Sequence, residues 1–148
     1  MSPRCRSLLV ALALHASAAA AQGTLQVIEP WVRPAARTQA TAAFVQIASS
    51  DGAALLAVRC ADAGIATLVD ARNRPLPLPL ALPAAVTIAF APGAARIVLA
   101  NLGRTLRVGD RVPLVLVIRT ADGATREIAV DAEVRRRSPT ADHAHAHG

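Results

Sequence analysis

The chain has 148 residues with 16 basic and 10 acidic side chains, which give a formal net charge of +6 at pH 7. The length suits one compact domain, and the basic residues, all arginine, are scattered along it. Two Phe, one Trp and no Tyr leave too few aromatic rings for base stacking, so the composition argues against a nucleic-acid-binding protein.

The start of the chain has the pattern of a segment that is removed on export. Two arginines precede a short apolar run at 8–14, and small residues at 16–21 offer a cleavage site before Gln22. The apolar run is far shorter than the roughly 20 residues that a membrane-spanning helix needs. We therefore predict a cleaved signal peptide over 1–21, a periplasmic location, and no transmembrane segment in the mature chain. Cys5 precedes the apolar run instead of following it, which argues against a lipoprotein.

The rest of the chain shows strand patterns and turn residues without a sustained helical period. We predict strands, in chain order, at Thr24–Ile28, Ala40–Ala48, Ala54–Cys60, Ile65–Val69, Val86–Phe90, Ala95–Ala100, Arg111–Thr120 and Arg126–Val134. Trp31–Pro34 is expected to be an extended link. Leu76–Leu82 alternates Leu with Pro, so it is expected to be an edge strand or an extended loop, because Pro lacks an N–H. Asp122-Gly123 predicts a hairpin, and the whole pattern predicts an all-β fold, a β-sandwich.

The stretch 94–120 carries the strongest pattern. In Arg111–Thr120 apolar residues occupy both alternating faces, which predicts a central strand covered on both faces, or nearly so. Ala95–Ala100 comes before it, with polar turn residues between the two. We therefore expect these two strands to form the central pair of the fold.

The cysteine content predicts no disulfide. Cys5 is expected to leave with the signal peptide, so Cys60 has no partner within the mature chain. Its apolar surroundings predict a buried side chain in place of a reactive thiol.

The strand pattern ends at Val134, and the segment 135–148 is expected to be a disordered tail. It begins with Arg135–Arg137, a like-charge run typical of a solvated strand end. The predicted organisation is therefore a signal peptide over 1–21, a sandwich domain over 22–134 and this tail.

Four short pieces of the domain appear in an order and spacing that resemble a known family. They are Pro30–Arg33, Thr41–Phe44, Pro92-Gly93 and Leu106–Leu114. Together they resemble the periplasmic copper chaperones called PCu(A)C over Leu25–Val134. The resemblance implies a cupredoxin-like, immunoglobulin-like Greek-key sandwich that receives Cu(I) in the periplasm. Members of that family are associated with assembly of the copper site of cytochrome oxidase.

The copper ligands of that family do not carry over to this chain. The resemblance aligns its His and Met positions with Val69, Ala71, Arg96 and Val98. The hairpin that carries the remaining Met is shortened here, so this Met has no direct counterpart, and Leu76 or Leu78 is nearest to it. Cu(I) is soft and prefers thioether, thiolate and imidazole donors. The only Met is Met1, the stretch 22–134 contains no His, and a guanidinium only donates hydrogen bonds. We therefore predict that the family's buried copper site is absent here.

The tail offers the other candidate metal site. His143, His145 and His147 place three imidazoles within five residues, and Asp142 lies beside them. Neutral imidazole suits copper, and zinc or nickel are further candidates. Binding is expected to be loose, because ordering a flexible chain costs about 1–2 kcal/mol per residue.

These observations predict a copper-chaperone-like protein that is not an enzyme. The domain offers no His, and its single Cys has no base to activate it. The expected partner is a copper-receiving protein, such as a cytochrome oxidase subunit or its assembly factor. The alternative is a metal-free interaction domain that holds a partner on the surface around Arg96.

Overall fold

The computed structural model describes residues 23–139, and the nine strands found there form one curled sheet. The strands are β1 (Leu25–Val32), β2 (Thr41–Ser49), β3 (Ala53–Cys60), β4 (Ala63–Val69), β5 (Leu80–Leu82), β6 (Val86–Phe90), β7 (Arg96–Leu102), β8 (Arg111–Thr120) and β9 (Thr125–Val134). Their order across the sheet is β4-β7-β2-β1-β9-β8-β3-β5, and β6 pairs with β2. All pairs are antiparallel except β1 with β9. The prediction of an all-β sandwich is confirmed.

One apolar core lies inside the curl, and each of the nine strands contributes a buried side chain to it. The alternation of apolar residues decides which face turns inward, because successive side chains of a strand point to opposite sides. In β8, for example, Leu114, Leu116 and Ile118 are buried. Within residues 23–139, no helix is long and apolar enough to cross a membrane.

The prediction that β7 and β8 form a central pair is wrong. β7 lies between β4 and β2, whereas β8 lies between β3 and β9. The segment 103–110 therefore joins two separate parts of the sheet instead of closing a hairpin. Leu106 is buried within this connection. Alternation shows which face of a strand is buried but not which strand is hydrogen-bonded to its edge, so it could not distinguish the two arrangements.

The outer face of β8 is less covered than the prediction of a strand buried on both faces, or nearly so, would require. Its inner face is buried, but Pro113 is exposed and Val115 and Val117 are only half-buried. Val115 lies between Arg59 of β3 and Ala129 of β9. Valine suits this outer surface because a β-branched side chain packs well against its cross-strand neighbours even without a second layer.

The chain differs from its predicted course at Trp31, which lies in a strand and not in a link. β1 passes through an irregularity in register between Ile28 and Trp31, where Glu29 has a φ of 47°, and then continues to Val32. Trp31 therefore pairs directly with Phe44 of β2.

Two other local predictions are confirmed. β5 is a short strand at the end of the sheet that pairs with β3, as the Pro-rich pattern of Leu76–Leu82 indicated. The hairpin at Asp122-Gly123 joins β8 to β9, and Gly123 adopts a φ of 86°, which glycine reaches without strain.

Candidate functional site

The positions that the sequence resemblance aligns with copper ligands converge on one surface of the sheet. Val69 at the end of β4 pairs with Arg96 at the start of β7, and Val98 pairs with Ala42 of β2. Ile97, between the two β7 positions, is buried in the core. Because side chains alternate along a strand, Val69, Arg96 and Val98 all lie on the outer face.

None of these side chains can hold copper. Val69 is 7% exposed, whereas Arg96 and Val98 are half-buried and Ala71 is exposed. Valine has no lone pair, and an arginine guanidinium is a donor only. Within residues 23–139, no group of three His, Cys, Asp or Glu side chains is placed to hold a metal ion.

The candidates for the remaining ligand position lie on the return from β4. The backbone N–H of Leu76 donates to the carbonyl oxygen of Leu68 at 2.9 Å, which brings this segment back beside β4. Leu78 is 44% exposed. Both are aliphatic, so neither supplies a donor.

A shallow, open depression of about 450 Å³ occupies this surface, and we call it the Arg96 depression. Its lining consists of Arg33, Pro34, Ala40, Thr41, Ala42, Asn73, Arg96 and Val98. No acidic residue is among them. The surface that the sequence resemblance aligns with the family's copper ligands is therefore cationic.

Arg33 is held in place by an aromatic pair on the same face. Its guanidinium carbon lies 5.2 Å from the centre of the Phe44 ring, within the range of a cation–π interaction. Trp31 stacks on Phe44 with the ring centres 4.5 Å apart. Thr41 also donates its hydroxyl to the Arg33 carbonyl oxygen at 2.8 Å. Sequence reasoning missed Arg33, because its place on this face becomes evident only once β1 is known to include Trp31.

Four other arginines of the described chain form ion pairs with acidic side chains, namely Arg59, Arg74, Arg104 and Arg135. Arg104 donates to Asp62 at 3.0 Å, to Asp110 at 3.4 Å and to the carbonyl oxygen of Arg111 at 2.6 Å. The hydrogen bond with Asp62 raises the pKa of Arg104 above its usual value. This group ties the β3–β4 turn to the segment before β8, so its role is structural.

Asp70 and Arg74 form a second structural pair, close to the depression. The backbone N–H and the side chain of Arg74 both donate to the Asp70 carboxylate, at 2.9 and 2.8 Å. The backbone hydrogen bond is the main cause that lowers the pKa of Asp70, and the N–H of Arg72 adds to it. The Asp70 carboxylate therefore stabilises the turn that contains it, and its hydrogen bonds are already made within that turn.

Cys60 is buried, as its apolar setting predicted. Burial is the main cause that raises the pKa of its thiol above the ordinary value. The thiolate is the form that reacts and binds metals, so this environment disfavours both.

We expect the Cys60 thiol of the folded mature chain to react with dithionitrobenzoate at least about tenfold more slowly than in urea. The reaction can be followed by absorbance at neutral pH, with a Cys60→Ser variant as the blank. Equal rates in the folded and unfolded chains would contradict the buried assignment.

The predicted metal-binding residues His143, His145 and His147 lie outside the described residues. The same holds for the predicted signal peptide, including Cys5. The structure thus places the positions aligned with the family's ligands on one surface. Metal binding by the tail stays a prediction.

Comparison with known proteins gives the chain its relatives. A model of the LpqE-like family, described as lipoproteins, matches residues 25–134. No curated protein matches the chain. The apo PCuAC domain from PmoF1 is similar, with 29% identity, a TM-score of 0.65, and 76% of this chain and 94% of that chain covered.

Two further solved structures share the fold. The copper-bound PCuAC domain from PmoF2 is 21% identical, with a TM-score of 0.63, covering 76% of this chain and 93% of the other. The Cu(I) form of DR1885 from Deinococcus radiodurans is 23% identical, with a TM-score of 0.58, covering 84% and 86%. Because the family model matches residues 25–134, which is most of the chain, the chain belongs to the LpqE-like family.

Proposed function

We propose that this chain is an exported, non-enzymatic copper-handling protein that holds its metal on the C-terminal tail. The fold supports copper handling, since a similar solved structure is a PCuAC domain at 29% identity. The observation that carries the tail assignment is the donor inventory. Residues 23–139 contain no His and no Met, and their one Cys is buried. His143, His145 and His147 are then the available imidazoles of the mature sequence.

The chemistry of such a tail suits capture and transfer. Three neutral imidazoles can share one copper ion, but ordering 143–147 around it costs about 5–10 kcal/mol in backbone entropy. The net affinity is therefore modest, and the ion can pass to a partner with a preformed site. We propose a cytochrome oxidase subunit or its assembly factor as that partner.

The predicted signal peptide and the family's description as lipoproteins both support export. We place the mature protein in the periplasm, released by cleavage before Gln22. Cys5 precedes the apolar run, so we do not assign it a lipid.

Copper titration of the mature chain, made without an affinity tag, tests the proposal. We expect about one copper ion per chain, and none after His143→Asn, His145→Asn and His147→Asn are combined. Binding should fall as the pH drops from about 7 to about 5, because the imidazoles must be neutral to ligate. Isothermal calorimetry gives the stoichiometry, and metal analysis after equilibrium dialysis checks it without stripping a loosely bound ion.

Cys60→Ser serves as the matched control and should retain the copper. Stoichiometric copper in the triple variant would overturn the tail assignment. Absence of copper from the unchanged mature chain would also overturn it and would favour the metal-free interaction domain. The observation that supports this alternative is that the Arg96 guanidinium has no carboxylate partner among residues 23–139.

A further inference from the structure

Two guanidinium groups of the Arg96 depression face outward on the same side of the sheet. The backbone N–H of Arg33 donates to the carbonyl oxygen of Ala42 at 3.0 Å, and Ala42 pairs with Val98 on its other side. These three residues form one row that runs from the residue after β1 across β2 to β7, and Arg96 lies two residues from Val98 along β7. Strand spacing then sets the two arginine Cα atoms about 12 Å apart, a span that two long side chains can bridge around one ligand.

Neither guanidinium has a carboxylate partner among residues 23–139. Arg59, Arg74, Arg104 and Arg135, by contrast, each form an ion pair there. Arg96 is half-buried, so part of its hydration is lost, and no residue of 23–139 supplies a hydrogen-bond acceptor to its guanidinium in exchange. Arg33 is fixed over the Phe44 ring, which reduces the entropy it would lose on binding.

The rest of the lining fits a ligand with both charge and aliphatic parts. Ala42 and Val98 provide an apolar floor, and Asn73 adds an amide at the rim. Glutamate carries methylene groups beside its carboxylate, whereas inorganic phosphate has none to place on this floor. The depression is also too open to enclose a small molecule, which typically needs about 70–90% of its surface buried.

We propose that the Arg96 depression binds a carboxylate-rich segment of a partner protein, with Arg33 and Arg96 each engaging a carboxylate. Arginine suits this role because its planar fork can donate two parallel hydrogen bonds to one carboxylate. The basic charge of the chain favours the same partner by long-range attraction. The site lies in the body of the protein and does not depend on the tail that we assign to copper.

Titration of the full mature chain with a hexaglutamate peptide tests the proposal. Trp31, the only tryptophan, contacts Phe44 beneath Arg33 and gives a fluorescence signal close to the site. We expect saturable binding that weakens when the ionic strength rises from about 0.02 to about 0.5 M. Arg33→Gln and Arg96→Gln should each raise Kd about five- to tenfold.

Arg119→Gln is the matched control, because Arg119 is an exposed β8 arginine and its loss changes the net charge equally. It should leave Kd within about twofold. Circular dichroism must show the same fold for all variants. No peptide binding by the unchanged chain, or equal losses in all three variants, would overturn the proposal.

Two further measurements test whether the ligand is a protein segment or a small anion, and whether peptide binding depends on the copper-binding tail. Citrate or inorganic phosphate binding as tightly as the peptide would overturn the partner segment and indicate a small-anion site. The combined His143→Asn, His145→Asn and His147→Asn variant should bind the peptide unchanged, so failure of the copper assignment and failure of this one give different results. A loss of peptide binding in that variant would contradict a site in the body.

Discussion

Leu116→Ala should lower the free energy of unfolding by about 3 kcal/mol, whereas Val117→Ala on the same strand should lower it by less than about 1 kcal/mol. Leu116 is 0% exposed and lies in the main core. Its truncation leaves a cavity that the surrounding strands cannot close completely. Val117 is half-buried on the outer face, where the freed space fills with water.

The two variants form a matched pair because they are adjacent in sequence and belong to the same strand. Urea unfolding followed by circular dichroism gives both values, and the dependence on urea should stay the same as in the unchanged chain. Equal losses would mean that a second layer covers the outer face of β8. That result would restore the expectation that this strand is buried on both sides.

β8 also shows how much of the fold the sequence could predict. Its length, its inward residues and its hairpin to β9 follow from local chemistry: alternation, β-branched residues and the Asp122-Gly123 turn. The exposure of Val115 and Val117 does not, because a valine on a strand is compatible with a covered or an open face. Pairing partners are also set at long range, which is why β7 and β8 were wrongly expected to be neighbours.

The candidate site divides in the same way. Residue chemistry alone excludes metal binding at Val69 and Arg96, because neither side chain has a lone pair to donate to a metal ion. The gathering of Val69, Arg96 and Val98 on one face depends on the pairing of β4 with β7, which local patterns do not specify. Arg33 joins them only because β1 continues through its irregularity beyond Ile28.

The same surface can therefore serve two exclusive chemistries. Soft neutral donors at these positions would hold a copper ion, and the cations would then be lost. Guanidinium groups attract carboxylates and repel a metal cation. A chain with arginine at position 96 keeps the geometry of the sheet but changes the kind of ligand, which is the reason we assign copper to the tail and an acidic segment to the body.

Replacing the side chains at positions 69, 96 and 98 by metal donors should convert this surface from a carboxylate-binding site into a copper-binding site. We expect Val69→His, Arg96→His and Val98→Met together to create a Cu(I) site in the body, measured with all three tail histidines replaced by Asn. Directly paired residues have Cβ atoms about 4.5–5.5 Å apart, and the next residue on the same face lies about 7 Å along the strand. Two imidazoles and a thioether at these spacings can converge on one soft ion.

Competition with a chromophoric Cu(I) chelator should show a gain from no copper to about one ion per chain. Val69→Ala, Arg96→Gln and Val98→Leu in the same background form the control, which alters the same positions without donors and should bind none. Because both triple variants lose the Arg96 guanidinium, both should also weaken hexaglutamate binding by about five- to tenfold. A folded His/Met variant that takes up no copper would show that these three positions do not by themselves form a metal-binding geometry.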